Sequence, residues 1–138
     1  MTTITNRSVR DSDALLRFAL RADATLCGAV GLVIAMAADP LSRVTGLSAA
    51  SEWIAGAALV GYGAALFLAA GVPDVRRVGQ GVLVGNVVFA VAVGVVLVEG
   101  WLPLTGFGAA GTVAFTAATL AFAYAQYLGV RRLDVAST

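Results

Sequence analysis

Residues 78–98 read VGQGVLVGNVVFAVAVGVVLV, a run without a single charged side chain. Coiled as an α-helix with about 1.5 Å of rise per residue, it just crosses a hydrocarbon layer of ~30 Å. Its borders are polar. Arg76 and Arg77 precede it, and Glu99 and Trp101 follow it, so the stretch reads as a transmembrane helix with an arginine end and a tryptophan end.

Three further apolar runs lie on either side. Uncharged residues extend from Ala24 to Ala38, from Trp53 to Pro73 and from Gly100 to Val130, the last with its oily core starting near Phe107. The first is short for a span unless its helix starts earlier and carries charge into the interface. Asp11, Ser12 and Asp13 offer N-capping side chains for such an extended helix. The expected fold is an all-α membrane protein: an antiparallel, up-down-up-down four-helix transmembrane bundle. Its spans are 14–38, 53–73, 78–98 and 107–130 within a membrane domain 14–132, flanked by tails 1–13 and 133–138. The lead with Arg7, Arg10, Arg17 and Arg21 and the small residues Ala35-Met36-Ala37 imitate a signal peptide, but the charged lead is long and starts at Met1, so a retained span is expected.

Composition agrees. Of 138 residues, 59% are hydrophobic and 12% charged, and the mean hydropathy is +0.90, far from the balance of a soluble domain. A net charge of +1 without a basic block leaves no electrostatic footprint for nucleic acid. With no histidine and a single cysteine, Cys27, neither a metal nor a haem site is expected, and no other cofactor is implied. All nine basic residues are arginine, which we read as the codon usage of a GC-rich bacterial genome.

Eight of the nine arginines fall on one side of the membrane if the N-terminus is inside; Arg43 alone lies outside. The positive-inside rule then puts both termini in the cytoplasm of a bacterial plasma membrane. Arg17, Arg21, Arg76, Arg77, Arg131 and Arg132 become interfacial anchors on that side, and Trp53 and Trp101 anchor the outer face beside Asp39, Glu52 and Glu99. "VTGLSAASEW" and "PLTGFGAAGT" share Thr-Gly at Thr45-Gly46 and Thr105-Gly106, a pattern open to two readings: tandem hairpins, or the common composition of alanine-rich segments. Small residues four apart, as at Gly81/Gly85, Ala24/Gly28 and Ala57/Gly61, give each span a smooth stripe for close packing.

Polar side chains inside the spans are costly and need a partner or a cavity. Asp23 lies about 200° around the helix from Arg21, on a stripe with Cys27, Val30 and Ile34. Asn86, Gln126 and Tyr124 are expected at a similar depth, with Tyr62 nearer the midplane. These five form a candidate intramembrane polar pocket opening toward the cytoplasm, or else a hydrogen-bond network that fixes packing. Thr112, Thr116 and Thr119 can bond to their own helix backbone. No Ser-His, Cys-His or paired-carboxylate arrangement accompanies Asp23, so no catalytic residue is assigned and an enzyme is not expected.

"LRADA", Asn86, "GWLPLTGFG" and "AYAQYLGVRR" together resemble a group of small four-span actinobacterial membrane proteins with no assigned activity. That resemblance spans about Leu15 to Arg132 and implies a fold and a compartment but no catalytic residue. The function expected from the residues is a non-enzymatic membrane component that binds lipid or a partner within a membrane complex, the partner being another protein or a second copy. The alternative is a small proton-coupled transporter or channel with Asp23 as its coupling group.

Overall fold

The computed structural model describes residues 2–138. It contains α1 (Thr2–Met36), α2 (Ala38–Thr45), α3 (Ala49–Ala69), α4 (Val75–Glu99) and α5 (Gly106–Ala136). The four long helices are each apolar and long enough to cross a membrane. Their outward faces carry Phe18, Leu32, Val33, Leu68, Val88 and Val98 in exposed positions, which in water would be untenable as a continuous surface. The chain is an all-α integral membrane bundle.

Helix bounds differ from the expected ones where nothing local stops a helix. Residues 2–13 contain neither glycine nor proline, and α1 continues through them, so Asp11, Ser12 and Asp13 do not cap it. Ser12 is instead buried, Val9 packs on the core, and Asp13 pairs with Arg17 four residues on, at 2.9 Å. Met1 lies outside the described residues. The stretch after α1 is not a plain loop either. It turns at Ala37 and forms α2, which ends where Gly46 takes a left-handed conformation, φ 89°, a backbone state that glycine reaches without steric cost. Ser48 and Thr105 cap α3 and α5 by accepting from Ser51 N–H and Gly108 N–H, and Asp74 caps α4 through Arg77 N–H.

Packing begins with α1 against α3. A Cβ built on Gly56 would stand 2.5 Å from Ala35 N and 2.6 Å from Gly31 O, and one on Gly63 would stand 2.6 Å from Ala24 O. The two backbones are in contact, as small residues permit in lipid. On α3 the packing stripe is therefore Gly56 and Gly63, not Ala57/Gly61; Gly61, Gly81 and Gly85 leave open space where a Cβ would be. These pairings climb one helix as they descend the other, so α1 and α3 run in opposite directions. Next, α5 packs on α1, Leu16 meeting Gly129, and α4 packs on α5, where Phe89 and Phe115 meet edge to face with centroids 6.2 Å apart.

The ring of helices does not close: α3 and α4, though joined by a short turn, scarcely touch. An open seam is left between them. The apolar core of Leu16, Leu20, Ala24, Leu66, Val75 and Val130 fills the arginine end. There Arg17 also clamps the α3–α4 turn, its Nη1 donating to Ala70 O at 2.7 Å and Val72 O at 2.8 Å. Arg76 pairs with Asp134 and ties the start of α4 to the end of α5. At the tryptophan end, Thr105 N–H donates to Thr45 O at 2.8 Å and the Thr105 hydroxyl donates to Val44 O, which fastens α2 to the start of α5. The two Thr-Gly pairs thus do different work, one ending α2 and one capping α5.

Candidate functional site

Asp23, Asn86 and Gln126 are brought together on top of the apolar core. They are 2%, 5% and 0% exposed. Gln126 Nε2 donates to Asp23 Oδ2 at 2.9 Å, and Asn86 Nδ2 donates to the same oxygen at 3.2 Å and to Gln126 Oε1 at 3.2 Å. The Cys27 thiol donates to Asp23 Oδ1 at 3.5 Å, and the Tyr62 hydroxyl donates to Asn86 Oδ1 at 3.4 Å. One network therefore draws on α1, α3, α4 and α5. Its Tyr62–Asn86 bond crosses the seam where the helix backbones stand apart.

Tyr124 does not join it. With Gln126 turned fully inward, a residue two positions earlier lies about 200° around the helix, and Tyr124 is 63% exposed on the outer surface. Arg21 also faces outward, its guanidinium 5.7 Å from the ring centre of Phe67, a cation–π distance. Thr112, Thr116 and Thr119 each donate to the carbonyl four residues earlier, at 2.9, 2.8 and 3.1 Å.

Above the network is a cavity of about 870 Å³. Asp23, Asn86 and Tyr62 form its floor, while Gln126 lies beneath and does not line it. Its walls are apolar: Cys27, Val30 and Ile34 from α1, Ala55, Ala58 and Leu59 from α3, Val82 and Phe89 from α4, Phe107 and Phe115 from α5. Leu41, Thr45 and Leu47 roof it, and the α3 and α4 residues Ala55, Ala58, Gly81 and Gly85 are exposed although they line it. The cavity is thus in contact with the bundle's surroundings beside the seam.

The cavity's direction corrects the expected one. The core of Leu16, Leu20 and Leu66 closes the space below Asp23, so the pocket extends toward the tryptophan end rather than opening at the arginine end. Its far end holds Glu52, an outer acid that the spacing of polar residues within the spans does not single out. Glu52 is 5% exposed and lines the cavity, and its Oε1 accepts from the Thr45 hydroxyl. The signal was present in the sequence: Glu52, Ala55, Leu59 and Tyr62 follow one another at helical spacing and share one face of α3. Of the expected anchors, Trp53 and Trp101 are exposed at the same end of the bundle, and Arg77, Arg131 and Arg132 are exposed at the other.

Comparison with known proteins yields no match, whether with family models, curated proteins or solved structures.

Proposed function

We propose that this protein is a non-enzymatic membrane component that binds one lipid-like molecule inside its bundle. The molecule lies in the apolar cavity and exchanges with the surrounding bilayer by way of the α3–α4 seam. The observation that carries this reading is the 870 Å³ cavity with apolar walls and polar side chains at its two ends, a size and lining suited to a ligand with a long apolar body and few polar groups. Two features support binding over passage. The packed core beneath Asp23 obstructs a continuous path along the bundle axis, and the donors around Asp23 already occupy both of its oxygens. We place the protein in a bacterial plasma membrane with both termini cytoplasmic, on the arginine distribution.

Native mass spectrometry of the protein released from its own membranes tests the reading. The expected result is a retained lipophilic adduct that Ala58→Phe, which inserts a ring into the cavity wall, removes while the folded protein survives. An adduct-free spectrum for the wild-type protein, or an adduct unaffected by that plug, would refute it.

A further inference from the structure

The ligand's charge is written in the cavity lining. Among the described residues, two acids, Asp23 and Glu52, line it and no basic side chain does. Neither acid pairs with a cation among the described residues. They are not equivalent. Asp23 has donors on both oxygens, whereas Glu52 has the Thr45 hydroxyl on one oxygen and no protein donor on the other among the described residues.

Glu52 lies in the first turn of α3, the positive end of the helix dipole. The neighbouring surface adds to the field: at this end Asp39 is neutralised by Arg43 at 2.7 Å, and Glu52 and Glu99 have no ion pair among the described residues. Tyr62 on the floor is ten residues along the same helix from Glu52, or about 15 Å, with apolar wall between. A head that accepts hydrogen bonds only, such as a carboxylate or a phosphate, would meet a carboxylate in a medium of low dielectric and be repelled. A cationic head would gain a charge-assisted hydrogen bond there.

We propose that the cavity selects a lipophilic ammonium compound, with its N–H bearing cation on Glu52 under α2 and its apolar chain running down to Tyr62. The inference rests on the cavity reading above and specifies its ligand class. The test uses three molecules with one chain and different heads: dodecylamine, dodecanol and dodecanoate. Each is titrated at neutral pH into phosphatidylcholine nanodiscs with and without the protein, so that partition into lipid is subtracted.

Dodecylamine should saturate the protein at least about tenfold more tightly than dodecanol, the scale of one charge-assisted hydrogen bond, and dodecanoate should not saturate it. In Glu52→Gln the amine should bind no more tightly than the alcohol, and Ala58→Phe should abolish both. Equal binding of all three heads overturns the cation inference and leaves the cavity reading standing, whereas no saturable binding of any overturns the cavity reading itself. A preference for the amine that survives Glu52→Gln but is lost in Asp23→Asn overturns the assignment to Glu52. The three-head comparison on the wild-type protein decides the charge question even if a variant fails to fold.

Discussion

Replacing Asn86 by leucine removes the member of the buried network that holds three helices at once. Its amide donates to Asp23 and to Gln126 and its carbonyl accepts from Tyr62. Hydrogen bonds between membrane helices contribute about 0.6 kcal/mol each, so the three together come to ~2 kcal/mol. Leucine keeps the branch at Cγ and is larger, with the cavity that Asn86 lines taking up the excess, and the unfolded helices already sit in hydrocarbon, so added apolarity offsets little of that loss. Gln126 Oε1 is meanwhile left buried without its Asn86 donor. The assay is reversible unfolding in mixed micelles, with Tyr124→Phe as the control because Tyr124 lies on the outer surface. Asn86→Leu should lose about 2 kcal/mol and Tyr124→Phe almost nothing. A loss in Asn86→Leu no larger than in the control would show that the network carries no net stability, and with it the idea that polar bonds hold α4 to the bundle at this depth.

Gly56→Ala sets a Cβ 2.5 Å from the backbone of Ala35, where no flexible side chain can give way, and should cost about 1–3 kcal/mol; Gly61→Ala, with open space at its Cβ, should unfold with the wild-type protein. If the two variants behave alike in micelle unfolding, α1 and α3 are not in backbone contact. Arg17→Lys keeps the charge but loses the planar fork that reaches Ala70 O and Val72 O, and a fall in melting temperature equivalent to about 1 kcal/mol is expected. Arg132→Lys, at an exposed position, should leave the melting temperature in place; equal shifts for the two arginines would mean that Arg17 is only an interfacial anchor.

Four membrane-length helices were legible in the sequence because their signal is one-dimensional: a long apolar run bounded by charges identifies a helix in lipid whatever surrounds it. Also legible were the inward stripe of Asp23, Cys27, Val30 and Ile34 and the meeting of Asp23 with Asn86 and Gln126, since polar groups at equal depth have few alternatives in hydrocarbon. Tyr124 shares the depth of Gln126 but not its direction, and direction around the helix, which Gln126 fixes, puts it on the outer surface. Arg17 looked like a headgroup anchor because chain spacing says nothing of the Ala70–Pro73 turn that its guanidinium reaches across the bundle. The open seam was equally invisible, because it depends on α3 committing Gly56 and Gly63 to α1 while α4 commits Phe89 to α5. Which pair of helices is left without a shared face is a property of the assembled set.

The partners of Asp23 are separated from it along the chain by 63 residues for Asn86 and 103 for Gln126. A ribosome adding about 5–20 residues per second takes roughly 5–20 s to cover the longer interval. Throughout that time the carboxylate belongs to a helix whose insertion it opposes by about 2.5–3.5 kcal/mol when placed at the centre of a bilayer. α1 emerges first and α3 soon follows it, yet the partners of Asp23 are complete only once α5 has been made. A nascent chain stopped short of Gln126 therefore carries a carboxylate that lacks its shortest hydrogen bond to another helix.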